Sequence, residues 1–138
     1  MITEDRSYGI IAVHNDRFLL LKQNKGHWGF PKGHKESNET DQESALRELK
    51  EESGITHCIL SNFPPISEDY FLVDEGKSDW HKVVQYHIGF VENEDVSIEK
   101  AEIMDYKSAT YQEALETLTY DNTKRVLKKA QEYLTEVL

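Results

Sequence analysis

Apolar and β-branched residues occur along the chain in short runs separated by polar segments, a pattern typical of strands joined by turns. Residues 8–13 and 17–23 are two such runs on either side of a short polar stretch, so they predict a β-hairpin. Three further strands are predicted at residues 57–63, 67–73 and 82–91. A turn-rich connection at 74–79 joins the last two. Together these runs predict a mixed β-sheet.

Two segments instead carry apolar residues at helical spacing. The first covers about 41–53, where Thr40 and Glu43 have the spacing of a capping box and Gly54 suits the left-handed position that ends a helix. A polar, glycine-bearing segment at 24–38 leads into it. The second helix is indicated by an apolar stripe at the end of the chain, made of Val126, Leu127, Ala130, Tyr133, Leu134, Val137 and Leu138. Because strands and helices intermingle without regular βαβ alternation, we predict an α+β fold, or a sheet sandwiched by helices, rather than a doubly wound fold.

Length and composition suit one domain over residues 1–138, since single hydrophobic cores typically span about 50 to 200 residues. No apolar stretch approaches the roughly 18 residues that a bilayer-spanning helix needs, so we expect a soluble protein with no membrane partner. Residues 1–7 carry charges of both signs and lack the apolar core of a secretion signal. The single cysteine, Cys58, excludes an internal disulfide and suits the reducing cytoplasm, where we expect the protein to act.

The formal net charge of -10 opposes nonspecific binding to duplex nucleic acid, which depends on many Lys and Arg contacts to phosphates. We therefore expect no polynucleotide partner. A small polyanion can still bind where cations and a few lysines reverse the local field. The alternative interpretation is that the acidity serves only solubility.

Three glutamates, Glu48, Glu51 and Glu52, stand at i, i+3 and i+4 in the first predicted helix, so they share one face about one turn tall. Because clustered carboxylates repel one another, a hard cation such as Mg²⁺ or Mn²⁺, which takes oxygen ligands, is the expected counter-charge. No Cys/His cluster has the spacing of zinc ligands. Taken alone, the carboxylate spacing favours the alternative of a solvated Glu-rich face, because the chain has 26 acidic residues.

The wider pattern changes that judgement, because residues 33–55, GHKESNETDQESALRELKEESGI, resemble the Nudix box. The box reads Gly, five residues, Glu, seven residues, then Arg-Glu-apolar-any-Glu-Glu-any-Gly-apolar. All nine specified positions match, and they are Gly33, Glu39, Arg47, Glu48, Leu49, Glu51, Glu52, Gly54 and Ile55. The resemblance implies the Nudix α/β/α sandwich over the whole chain. It also implies a metal-dependent hydrolase of a phosphoanhydride bond in a nucleoside polyphosphate, with more than one ion bound beside the substrate.

The resemblance also implies roles for individual residues. The implied metal ligands within the box are Glu48, Glu51, Glu52 and the carbonyl of Gly33. One of the glutamates would also draw a proton from the attacking water. Arg47 and Glu39 would orient the ligands from behind.

The flank 27–34, HWGFPKGH, resembles a run in the asymmetrical bis(5'-nucleosyl)-tetraphosphatases, a Nudix subgroup that splits diadenosine tetraphosphate into ATP and AMP. In that subgroup Lys32 and His34 would contact the phosphates flanking the cut. The chain departs from the subgroup in having Ser37 and Asn38 where Pro-Gly is frequent, and Ser108 where Trp is frequent. The Ser108 difference puts the subgroup in doubt, because that Trp helps to shape the neighbouring wall.

Three shorter matches agree with the same subgroup. Lys82 and Tyr86, in the run KVVQY, resemble a strand in which a lysine contacts phosphate and a tyrosine contacts adenine. Glu102 stands where another acidic residue lies near the metals, and Tyr120 stands where an aromatic ring stacks on a base. The alternatives are a tyrosine of the strand core, a solvated glutamate and a tyrosine that packs a helix.

Two other functions compete with this hypothesis. One is a different Nudix pyrophosphohydrolase, acting on RNA 5' ends, ADP-ribose or nucleoside triphosphates. The other is a catalytically silent Nudix domain that senses nucleotides or binds a protein. Silent domains usually lack one or more box glutamates, whereas all of them stand in this chain. The sequence leaves the oligomeric state open, and a monomer is compatible with it.

Overall fold

The chain forms a mixed sheet with helices on both faces, as seen in a computed structural model that describes residues 2–72, 79–93 and 95–136. The strands are β1 (Ile2–His14), β2 (Arg17–Gln23), β3 (Trp28–Gly29), β4 (Lys32–His34), β5 (Cys58–Leu60), β6 (Ile66–Leu72), β7 (Asp79–Val91) and β8 (Ile103–Ala109). The helices are α1 (Asp41–Ser53), α2 (Tyr111–Thr117) and α3 (Asp121–Glu136). None of the helices in these ranges is long and apolar enough to cross a bilayer.

Strand β1 lies at the centre of the sheet. It is antiparallel to β2 and β4 and parallel to β7, in a register that runs from Ile2 opposite Asp79 to Val13 opposite Phe90. Strand β7 also pairs with β5 and β6, and β2 pairs with β3 and β8. The predicted hairpin of β1 and β2 is confirmed. Its turn residues Asn15 and Asp16 have φ angles of 47° and 64°, as a type I′ turn requires.

The sheet separates two hydrophobic cores, and successive side chains of a strand point alternately into one core and the other. Ile11 of β1 and Phe18 of β2 lie in the core beneath α2 and α3, whereas Ile10 and Leu19, their sequence neighbours, lie in the core beneath α1. The alternation follows from the two-residue period of a strand, and it gives the sheet two apolar faces that helices must cover. The predicted α+β class and α/β/α sandwich are confirmed.

Helix α1 has the boundaries and caps that the sequence predicts. The Thr40 hydroxyl accepts from the backbone N–H of Glu43, and the Glu43 carboxylate accepts from the Thr40 N–H. Gly54 ends the helix with a φ of 78°, a conformation that costs glycine little. Ala45 and Leu49 are fully buried against the sheet, so they fix which face of α1 carries the glutamates.

Several elements differ from the sequence-based expectation. The 24–38 segment contains β3 and β4, which are too short for a periodic signal and exist because β2 and β1 pair with them. Strand β8 and helix α2 are also additional. Strand β8 has a register shift opposite the end of β2, and its buried and exposed residues therefore do not alternate regularly. Strand β5 is shorter than the predicted 57–63 run. Three parts of the prediction lie outside the described residues: Val73 at the end of a predicted strand, residues 74–78 of the predicted connection, and Val137 and Leu138 at the end of the predicted helix. Asp79, the last residue of that connection, lies in β7.

Candidate active site

The loop that contains β4 lies directly under the carboxylate face of α1. An ideal Cβ added to Gly33 would lie 2.1 Å from Cδ of Glu48, so any side chain at this position would displace the Glu48 carboxylate. The glycine thus lets the loop backbone approach a ligand-bearing helix. Its φ is outside the left-handed region, so close approach rather than backbone conformation requires glycine here.

Arg47 is the hub of the acidic face. Its Nε donates to Glu39 Oε2 at 2.7 Å, and its Nη1 donates to Glu48 Oε1 at 3.0 Å and to Glu51 at 3.1 Å. Its Nη2 donates to the carbonyl of His34 at 2.7 Å. The hydrogen bond to Glu39 above all, with those to Glu51 and Glu48, raises the pKa of Arg47 above its ordinary value, although burial opposes the rise. One guanidinium therefore ties the loop to three carboxylates.

Glu39 is held by further hydrogen bonds besides those from Arg47. Its Oε1 accepts from the Ser44 hydroxyl at 2.9 Å and from the backbone N–H of Glu36 at 2.8 Å, in addition to the bonds from Arg47. The hydrogen bond from Arg47, helped by the one from Glu36, lowers the pKa of Glu39 to about 2. Glu39 is therefore ionised throughout the neutral range and suits a positioning role rather than proton transfer.

Glu52 lies deeper than its neighbours. It is 3% exposed, and its Oε1 accepts from the backbone N–H of Lys32 at 3.1 Å. Burial raises the pKa of Glu52 to about 8, although the hydrogen bond from Lys32 opposes the shift. Burial also raises the pKa of Glu48, and the charge of Glu102 adds to the rise at both groups. The charge of Glu102 thus acts on two carboxylates of the cluster. Glu51 is largely exposed.

The donor set of this cluster consists of carboxylate and carbonyl oxygens, which suits Mg²⁺ or Mn²⁺ better than a softer metal. Over the described ranges, however, no three acidic, His or Cys side chains are gathered closely enough to hold an ion. Glu48 and Glu51 turn to Arg47, and Glu52 turns to the Lys32 backbone. The residues fit a hard cation by chemistry, and the Arg47 bonds to Glu48 and Glu51 are those that a cation would replace.

The structure joins two of the predicted phosphate-contacting residues through a residue that the sequence did not indicate. The Asp5 carboxylate lies 2.7 Å from Nε2 of His34 and 3.2 Å from Nζ of Lys82. Partial burial acts to raise the pKa of Asp5, but the hydrogen bonds and charges of Lys82 and His34 outweigh it and lower the pKa. Asp5 was missed because only the pairing of β1 with β4 and β7 brings it there.

Tyr86 does not have the predicted place beside adenine. Its side chain is 1% exposed, its ring packs edge-on against Phe30, and its hydroxyl donates to Glu68 at 2.8 Å. No face of the ring is open to a base, so this part of the prediction is corrected to the alternative of a core tyrosine. The short KVVQY match carries no information on how deeply its tyrosine is buried.

Tyr120 lies at the surface immediately before α3, 55% exposed, with its ring centroid 5.6 Å from that of His27. A second tyrosine, Tyr70 of β6, is half-buried and pairs in register with Lys82. Burial raises the pKa of Tyr70, and the charges of Glu68, Tyr120 and Asp5 add to the rise. Tyr70, rather than Tyr86, is therefore the strand tyrosine on which the charge of Tyr120 acts, and a hydrogen bond from Asn122 to the carbonyl of Asp69 joins the segments that carry the two rings. As a lone strand tyrosine, Tyr70 carried no signal in the sequence.

Comparison with known proteins gives the same family as the box. The NUDIX domain family model matches residues 3–130. The asymmetrical bis(5'-nucleosyl)-tetraphosphatase of Sus scrofa is 32% identical over 120 residues, covering 85% of this chain and 80% of that protein. The 8-oxo-dGTP diphosphatase of Proteus vulgaris is 40% identical over 85 residues, covering 51% of this chain and 76% of that protein. MutT4 of Mycobacterium tuberculosis is longer, and this chain spans 43% of its length.

The fold agrees with these matches. A solved structure of the Caenorhabditis elegans Ap4A hydrolase in a binary complex superposes with a TM-score of 0.79 at 26% identity, covering 95% of this chain and 98% of that chain. Members of the family act on small nucleotide substrates and generally use a divalent metal such as Mg²⁺ or Mn²⁺. With the complete box in place on α1 and its loop, the chain belongs to the Nudix family of hydrolases.

Proposed function

We propose that this protein is an asymmetrical bis(5'-nucleosyl)-tetraphosphatase that hydrolyses diadenosine tetraphosphate to ATP and AMP in the cytoplasm. The observation that carries the proposal is a series of groups across the site. The buried Glu52 accepts from the backbone N–H of Lys32, Lys82 pairs in register with Tyr70, and the charge of Tyr120 acts on Tyr70. Such a series offers anion-binding groups for a phosphate chain between a metal-binding cluster and an aromatic site for a base.

Each group has a defined task in this proposal. The implied metal ligands are Glu48, Glu51, Glu52, Glu102 and the carbonyl of Gly33. When bound, the divalent ions neutralise the phosphate oxygens and activate the attacking water. Arg47, fixed by its hydrogen bonds to Glu39 and to the carbonyl of His34, orients the loop and the helix that carry the ligands. Most of the rate enhancement then comes from positioning and electrostatics.

In this proposal the polar and aromatic groups determine which substrate binds. Lys32 and Lys82 contact phosphate oxygens, and Asp5 holds Lys82 and His34 beside each other at the loop. Tyr120 stacks on one adenine with Tyr70 as the second wall, taking the place that the sequence gave to Tyr86. Stacking of a base on an aromatic ring contributes about 1 to 3 kcal/mol.

Product analysis tests the proposal. With Mg²⁺ or Mn²⁺ present, diadenosine tetraphosphate should yield ATP and AMP in equal amounts, with much slower turnover of ADP-ribose and deoxynucleoside triphosphates. Chromatographic separation of the products identifies the bond that is cut. Two molecules of ADP as products, or a preference for any other substrate of the panel, would contradict the assignment.

The second candidate is a pyrophosphohydrolase of single nucleoside triphosphates. The observation that favours it is the 40% identity to the Proteus vulgaris 8-oxo-dGTP diphosphatase over 85 residues. Preferential release of pyrophosphate from a nucleoside triphosphate would select this function in the same panel. Absence of metal-dependent hydrolysis with every substrate would instead indicate a nucleotide-sensing domain.

Lys32 provides a test of chain length. Replacing Lys32 by alanine should lower kcat/KM for diadenosine tetraphosphate by about 10-fold to 100-fold, and that for ADP-ribose by much less, because the lysine contacts a phosphate that the shorter substrate lacks. The backbone N–H that bonds to Glu52 is kept in the variant. Lys129→Ala, on the exposed face of α3, is the matched control. Equal losses on both substrates would show that Lys32 does not distinguish phosphate chain length.

A further inference from the structure

We infer that Glu68 is a positioning residue that fixes the distance between the two tyrosine walls of the base site. The inference rests on the proposed function, because it assumes that Tyr70 and Tyr120 hold a base. Glu68 lies two residues before Tyr70 on β6, on the same face of the strand. It belongs to neither the metal cluster nor the phosphate-contacting residues.

The contacts of Glu68 join three elements. Its Oε1 accepts from the Tyr86 hydroxyl of β7 at 2.8 Å, and its Oε2 accepts from the Thr123 hydroxyl of α3 at 3.2 Å. All three residues are buried, with Glu68 8% and Thr123 5% exposed. A buried carboxyl with both oxygens engaged is a costly group to keep, and satisfied buried polar networks of this kind rigidify their surroundings.

The bond to Thr123 acts on the start of α3. Thr123 stands in the first helical turn, three residues after Tyr120, whose carbonyl accepts from the N–H of Lys124. Because that turn is rigid, holding Thr123 against β6 also holds Tyr120 at a set distance from Tyr70. A second bond of the same kind, from Nδ2 of Asn122 to the carbonyl of Asp69 at 3.4 Å, is longer and exposed. The Glu68 bond is therefore the stronger link between the walls.

Removal of the Thr123 hydroxyl tests the inference. Thr123→Val keeps the shape of the side chain and should weaken binding of AMP by about threefold to tenfold, the factor by which one neutral hydrogen bond changes an equilibrium constant. Binding of inorganic pyrophosphate, which has no base, should change by less than twofold. Isothermal titration calorimetry in the presence of Mg²⁺ gives both dissociation constants. Diadenosine tetraphosphate should show the same pattern, a raised KM with little change in kcat.

Three variants serve as controls. Thr135→Val makes the same change near the other end of α3, where the hydroxyl bonds only within the helix, and should leave AMP binding unaltered. Thr123→Ser restores the hydroxyl and should restore binding. Tyr86→Phe removes the other hydrogen bond to Glu68 from inside the core and should weaken AMP binding in the same direction. It gives a second route if Thr123→Val does not fold, which thermal melting detects.

Tyr120→Leu separates failure of the inference from failure of the base site. If this variant weakens AMP binding while Thr123→Val and Tyr86→Phe do not, the base site stands and the positioning role of Glu68 is overturned. If Tyr120→Leu has no effect, the base does not stack there and the inference falls with it, whatever products the enzyme releases. Equal weakening of AMP and pyrophosphate binding in Thr123→Val would make Glu68 a stabilising residue only and would also overturn the inference.

Discussion

Replacing Glu52 by glutamine should lower the metal-dependent turnover of every substrate by about 100-fold or more. The glutamine keeps the size of the side chain and the oxygen that accepts from the Lys32 backbone, but it removes a formal charge from the metal-binding cluster. Because Glu52 is 3% exposed, water cannot replace the missing charge. Steady-state kinetics with saturating Mg²⁺ measures the loss, and circular dichroism checks that the fold is intact.

The same substitution should change how stability depends on pH. With the ions removed by a chelator, burial holds the pKa of Glu52 at about 8, above the unfolded value near 4.5. The folded state therefore binds the proton more tightly, and the wild-type protein loses stability as pH rises from about 4.5 to 8. Glu52→Gln removes this loss, so the variant should be equal to wild type at pH 4 and more stable by about 4 kcal/mol at pH 8.

Glu132→Gln, at an exposed position on α3, is the matched control for both measurements. It should leave turnover and the pH profile of unfolding unchanged. Addition of Mg²⁺ should raise the melting temperature of the wild type more than that of Glu52→Gln, since an ion that binds only the folded state stabilises it. Wild-type turnover in the Gln variant with every substrate would show that the metal cluster is wrongly assigned.

Replacing Gly33 by alanine should have a comparable effect on catalysis without removing any charge. The new Cβ would lie 2.1 Å from Cδ of Glu48, so the carboxylate or the loop must move by an ångström or more. Displacement of a catalytic group by about 1 Å can cost about 100-fold in rate, and the strain should lower stability by about 1 to 3 kcal/mol. Turnover and urea unfolding measure the two effects.

Gly29→Ala is the control for this experiment. Gly29 lies four residues earlier in the same connection, its φ is outside the left-handed region, and a Cβ there meets nothing within 4 Å. The control variant should retain wild-type turnover and stability. If Gly33→Ala were as active as Gly29→Ala, the Glu48 carboxylate would not need its place over the loop, and its assignment as a metal ligand would fail.

The features that local sequence determines were predicted well. Helix α1 has its predicted ends because Thr40, Glu43 and Gly54 satisfy its terminal hydrogen bonds locally. The Nudix box was recognisable for a similar reason, since its residues are close together along the chain. In the fold, the loop backbone at Gly33 lies close to the Glu48 carboxylate.

The features that depend on strand pairing were not predictable. Asp5 reaches His34 and Lys82 only because β4 and β7 flank β1 on either side. Tyr86 matched a strand of the subgroup, whereas Tyr70 carried no signal in the sequence. Both lie on the face of the sheet that α3 covers, and only the position of each along the paired strands makes Tyr86 buried and leaves Tyr70 half-buried. Strands β3 and β4 likewise form through their partners and not through any pattern of their own.

The parallel pairing of β1 with β7 has a consequence for the order in which the molecule folds. Strand β7 begins only at Asp79, so its pairing with β1 closes a long loop of chain. The entropic cost of closing this loop precedes the stabilising contacts between the two strands. Non-local pairing of this kind slows folding. On the ribosome, α1 and its glutamates leave the exit tunnel well before β7 does. Helix α1 can cover one face of β1 and β2 as soon as it is made, since both strands precede it, whereas their other face stays uncovered until α2 and α3 at the end of the chain are made.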